Sequence, residues 1–163
     1  MKRLIVYMCI ILSIITFTGC GPKDGDNLPD VEKLLEKEPV LQSRFSTFSV
    51  TSYNGDMFDL RLDFKKITSE EISNMSHENI KTLCQQVYSR AKKAIKDSEY
   101  KSIASIEGNM YPADMRDLIQ SDKDYYYISF DVGAANKTYV SLRNTGLSDS
   151  VWSEEVSWGG WEK

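Results

Sequence analysis

The chain has 163 residues, with 20 lysines and arginines against 24 aspartates and glutamates and a formal charge of −4. That length suits one domain with a core of its own, and charged residues at 27% are ordinary for a globular protein. The acidic balance argues against nucleic-acid binding, which needs a basic stripe, and against a domain lying flat on anionic lipid.

In chain order, the first element is an apolar run. Lys2 and Arg3 precede residues 4–17, which are apolar except for Ser13 and Thr16. A basic start, a short apolar core and a small-residue exit describe a secretory signal. The run falls short of the ~18 residues a spanning helix needs. It exits through Phe17-Thr18-Gly19-Cys20. Thr18-Gly19-Cys20 resembles the lipobox of bacterial lipoprotein precursors, with Phe17 standing where leucine is usual. The resemblance covers only the first twenty residues. It implies that Cys20 receives the lipid, that Gly19 is the last residue removed, and that the mature protein is tied to a membrane of the cell envelope. Two or more acyl chains hold a protein on a membrane durably, whereas one does so only marginally. Gly21 stands where an aspartate often retains such proteins at an inner membrane, so an outer membrane is expected if the organism is Gram-negative. The lysine-acid start of the tether also resembles a surface-export signal of some Gram-negative groups.

Removal of 19 residues from 163 leaves 144, and loss of Lys2 and Arg3 leaves 18 basic side chains against 24 acidic ones, a formal −6. Of the three cysteines, Cys9 departs with the signal and Cys20 carries lipid, so Cys84 has no partner for an intramolecular disulfide. The expected organisation is a signal peptide over 1–19, a lipidated cysteine and flexible tether over 20–28, and one globular domain over 29–163. The tether is polar and glycine-bearing, and its Asp24 and Asp26 lack further ligands at calcium-loop spacing.

Residues 29–38 read as a short helix capped by Asp30, with Val31, Leu34 and Leu35 on one face and Pro39 ending it. Residues 45–53 and 57–65 read as a β-hairpin around Asn54-Gly55, a favoured type I′ pair. The second strand alternates strictly, Phe58, Leu60, Leu62 and Phe64 against Asp59, Arg61, Asp63 and Lys65, so one of its faces is wet. Thr68-Ser69-Glu70-Glu71 has the form of a capping box, and Ser76 is a second N-cap. It opens a long helix whose Ile80, Leu83, Cys84, Val87, Tyr88, Ala91, Ala94 and Ile95 form one apolar stripe. Cys84 in that stripe reads as a small buried hydrophobe, and the basic remainder as a solvated face. Residues 102–107 are expected as a strand closed by a Gly108-Asn109 turn. A short helix carrying Met115, Leu118 and Ile119 follows Pro112. Residues 125–132 and 137–143 read as strands separated by a turn at 133–136. Asn144-Thr145-Gly146 is a further turn, and residues 151–158 form a last strand before Gly159-Gly160. This order predicts an α+β fold: an antiparallel or mixed sheet with one long amphipathic helix packed on one face.

Chemistry is harder to find. His77 is the only histidine and lacks the cysteines or spaced carboxylates of a zinc site. Ser76 is adjacent to it in sequence, and adjacent residues on a helix do not face each other. No phosphate loop is present, and pairs such as Asp122 with Asp124 or Glu154 with Glu155 are ordinary surface features. Aromatic residues are the stronger signal: Tyr125, Tyr126 and Tyr127 open one strand, Tyr139 lies in the next, and Trp152, Trp158 and Trp161 crowd the end of the chain. They read as core closure or as an exposed strip for a partner, with Trp158 and Trp161 the candidate partner-binding residues. The expected role is a lipid-anchored, non-enzymatic envelope protein that binds another protein, for example as an immunity or assembly factor. It needs no cofactor, metal or nucleic acid. The alternatives are a small envelope hydrolase and a carrier of an apolar ligand.

Overall fold

The computed structural model describes residues 25–100, 102–133 and 137–158. The expected signal segment, Cys20, the Gly159-Gly160 pair and Trp161 lie outside the described residues. Among the described residues the fold is α+β: one seven-stranded mixed sheet, in the spatial order β1 to β7, together with five helices. The strands are β1 (Asp26–Asn27), β2 (Phe45–Tyr53), β3 (Met57–Phe64), β4 (Ser105–Tyr111), β5 (Tyr126–Val132), β6 (Thr138–Asn144) and β7 (Trp152–Val156). The helices are α1 (Pro29–Glu36), α2 (Pro39–Arg44), α3 (Ser69–Ser73), α4 (His77–Asp97) and α5 (Met115–Gln120). Every neighbouring pair is antiparallel except β3 and β4, which run parallel because α3 and α4 carry the chain between them.

Local chemistry accounts for most boundaries. Asn54 and Gly55 both adopt positive φ, +53° and +78°, so the β2–β3 connection has the backbone that favours this pair. The capping box closes as expected, Thr68 Oγ1 accepting from Glu71 N–H while the Glu71 carboxylate accepts from Thr68 N–H. Ser76 Oγ accepts from Asn79 N–H at the start of α4. All eight stripe residues of α4 are buried in the same core as the inward residues of the strands. Tyr88 meets Phe130 of β5 edge-on, with ring centroids 6.5 Å apart.

Several expectations are corrected. The sheet is larger than the element order suggested, and one helix on one face does not describe the five helices. Part of the expected tether is ordered: Asp26 and Asn27 pair with Ser52 and Thr51, and Leu28 is buried. Backbone pairing with an otherwise open sheet edge orders a segment that side-chain polarity alone would leave loose. Pro39 does not merely end the first helix; it opens α2, as Pro29 opens α1, because proline lacks only an N–H that a first turn leaves unused. Asp30 does not cap α1, since the N-cap is Leu28 and makes no side-chain bond. Gly108-Asn109 is no turn: β4 runs through it, and a Cβ on Gly108 would lie 2.3 Å from the Phe130 ring. The glycine makes room for a core aromatic on the neighbouring strand.

Candidate functional site

Side chains alternate across the sheet, so the residues that do not enter the core share its second face. Register sets them in rows. The first row runs Thr51, Asp59, Glu107, Asp131, Tyr139 and Glu155 from β2 to β7. The second runs Ser49, Arg61, Asn109, Ser129, Ser141 and Ser153. The third holds Asp63 opposite Tyr111 and Tyr127 opposite Arg143. The long helix α4 buries its stripe in the core, and α5 buries no residue at all. α5 touches this second face at Met115, whose sulfur lies 3.7 Å from Arg61 Nη2.

Tyrosines dominate the third row. Tyr111 and Tyr127 stack with centroids 5.3 Å apart and rings 20° from parallel, and Tyr125 approaches each at 6.4 Å. Arg61 lies over the Tyr111 ring at 4.7 Å and pairs with Asp63 at 3.4 Å. Burial raises the Tyr111 phenol, the Arg61 charge opposes that rise, and Tyr127, Tyr125 and Asp59 add to it. All three rings are half-buried, each leaving part of its surface to solvent.

The first row is a line of carboxylates. Asp59, Glu107 and Asp131 sit directly opposite one another on β3, β4 and β5. Burial, then the Glu107 charge, raises the Asp59 carboxyl, against a lowering hydrogen bond from Asn109. Partial burial and then Glu107 likewise raise Asp131. Asp59 Oδ1 is buried without a hydrogen-bond partner. Further along the row, Glu155 accepts from Tyr139 Oη at 3.2 Å and pairs with Lys137 at 3.7 Å. A hollow of about 390 Å³ joins the two rows beside β6, lined by Glu107, Asp131, Tyr139, Ser141 and Arg143 among others.

Comparison with known protein families, with curated proteins and with solved structures gives no match.

The residues singled out from sequence fall elsewhere. Trp158 is half-buried on the helix side, its ring 5.7 Å from Tyr88 and 6.1 Å from Phe130. Trp152 stacks on His77 at 4.1 Å, and Glu154 between the two tryptophans pairs with Lys81 at 3.2 Å. β7 is therefore laced to α4 by side chains two residues apart. Cys84 is buried and its thiol is pushed up by burial, which removes the thiolate a nucleophile needs. Cys20 and Trp161 lie outside the described residues. Among the described residues, no group of three His, Cys, Asp or Glu side chains could hold a metal ion. The carboxylate row and the Arg61–Tyr111 pair escaped sequence reading. Its trace was the wet set Asp59, Arg61 and Asp63, but their neighbours on β4 and β5 are 48 or more residues away in sequence and unreadable without the register.

Proposed function

We propose that the chain is a lipid-anchored, non-enzymatic protein of the bacterial envelope that works as a protein-binding module, an immunity or assembly factor being the kind of role it suits. Cys20 carries the anchor, and the second face of the sheet meets the partner. The observation that carries this reading is the cluster of Tyr111, Tyr127 and Tyr125 beside Arg61 on a sheet face whose other side holds the core. Tyrosine and arginine are the residue types that dominate interface energetics. A sheet presents them on a rigid frame, which spares the entropy of ordering loops on binding. Trp161 remains a candidate at the far end of the chain. Trp158 is engaged with Tyr88 and Phe130. A hydrolase would have to draw on the same carboxylates, which lie along a strand row instead of across a cleft. A carrier of apolar ligands would want a largely apolar pocket, whereas the groove of about 690 Å³ between α1 and the end of α4 also carries Asp30, Lys33, Lys37, Asp97 and Glu99.

A photo-crosslinking amino acid at Tyr127, on the proposed face, tests the reading against one at Lys93, exposed on α4. In intact envelopes, position 127 should capture one protein that position 93 does not. Equal capture at both positions, or none at 127, would refute the reading.

A further inference from the structure

We infer that the open sheet face docks an extended, arginine-bearing segment of its partner, the Asp59–Glu107–Asp131 row taking some of the positive charges and the tyrosines of the third row, four residues along β4 and β5, stacking other guanidinium planes. The inference rests on the protein-binding reading above and adds the chemistry of the partner. Side chains directly opposite on neighbouring strands are close, and like charges so placed destabilise a sheet. Here three carboxylates stand in line, and among the described residues no cation forms an ion pair with any of them. The cations on this face are engaged elsewhere: Arg61 with Asp63 and Tyr111, Arg143 through Nε to Ser129 Oγ, and Lys137 with Glu155. Three rows of one face thus separate into an uncompensated anionic line and an aromatic line, bridged by hydroxyls.

The spacing decides what compensates that line. Two strand intervals, ~10 Å, separate Asp59 from Asp131. A single ion cannot span that distance, and these side chains form no metal-binding group. A chain carrying several cations at intervals can. Arginine fits better than lysine because it stacks on aromatic rings as well as pairing with carboxylates. The molecule already displays that contact once, where the Arg61 guanidinium lies 4.7 Å from the Tyr111 centroid. The formal −6 of the processed chain would draw such a segment in over longer range.

The test is fluorescence anisotropy on the full chain in detergent, with a labelled twelve-residue peptide alternating Arg and Ser as probe. The matching Lys-Ser peptide is the comparison. The Arg peptide should bind saturably and weaken as salt rises from about 50 to 200 mM. Glu107→Gln with Asp131→Asn should weaken it ~10-fold or more, equivalent to ~1.4 kcal/mol. Glu36→Gln with Asp149→Asn, the same change of charge at exposed sites elsewhere, should weaken it less than ~2-fold. Tyr127→Ala should abolish the preference for the Arg over the Lys peptide. Thermal melts of each variant confirm that it is folded. Equal weakening by both carboxylate pairs would reduce the effect to net charge and overturn the inference. Spermidine or calcium displacing the peptide at stoichiometric concentration would overturn it in favour of a small cation. No peptide binding, with capture from position 127 intact, would overturn the inference and leave the protein-binding reading standing. Loss of both would end both.

Discussion

Gly108→Ala separates packing from backbone conformation as the reason for a glycine. Gly108 lies within β4, and its φ is not among the positive values of this chain. Alanine therefore fits its backbone. The obstacle is space, because the new methyl would fall 2.3 Å from Phe130 Cε1 and Cζ. Phe130 cannot swing aside freely: it is buried and touches Tyr88 and Trp158. Overpacking of this kind costs ~1–3 kcal/mol, which in a domain of this size lowers the melting temperature by roughly 3–12 °C. Phe130→Leu alone should cost ~1–2 kcal/mol through the void it leaves. Combined, the two changes relieve each other, so the double variant should be more stable than the sum predicts by ~1 kcal/mol. Guanidinium melts of a soluble form beginning at Gly21 measure all four states. Gly133→Ala, with nothing within 4 Å of the added Cβ, serves as the neutral control. Strict additivity of Gly108→Ala and Phe130→Leu would refute the reasoning and place the cost in the backbone.

Ser52→Ala should leave stability unchanged or raise it by up to ~1 kcal/mol, because the Ser52 hydroxyl is buried with no hydrogen-bond partner; a loss above ~1 kcal/mol in denaturant would contradict this. Glu107→Gln should stabilise the fold at neutral pH by a few tenths of a kcal/mol, by removing a like charge from its two neighbours. Asp59 and Asp131 are raised above the usual 3.8 in the fold, so their favourable contribution is present below that value and is lost as pH rises through their folded values. The Glu107→Gln gain should accordingly vanish below about pH 3.8, and a gain independent of pH would remove its electrostatic cause. Trp158→Ala should lower the melting temperature, through lost contact with Tyr88 and Phe130; an unchanged melt with lost partner capture would move Trp158 to the binding surface. Under the proposed anchor, Cys20→Ala should abolish incorporation of labelled fatty acid and partitioning into detergent, because the anchor would hang on that sulfur; undiminished labelling would remove the basis for the anchor.

Periodicity made the hairpin, the α4 stripe and the strands β5 and β6 legible, because each is written in contiguous residues at a spacing of two or of three to four. The capping box at Thr68 and the positive-φ pair Asn54-Gly55 were legible for the same reason: both are local agreements between a side chain and its own backbone. Other features depended on contacts between residues remote in sequence. Gly108 reads as a turn until Phe130 is placed beside it, and Asp26 reads as tether until its backbone finds the free edge of β2. Trp158 reads equally as core closure or as part of an exposed strip until Tyr88 and Phe130 are brought against it. The candidate site is the extreme case. Asp59, Glu107 and Asp131 are three unremarkable surface acids in sequence. They become one line of charge only when a parallel β3–β4 pair and an antiparallel β4–β5 pair bring them into register. Register is a property of strand pairing, and a slip of a single residue would turn every one of these side chains to the other face.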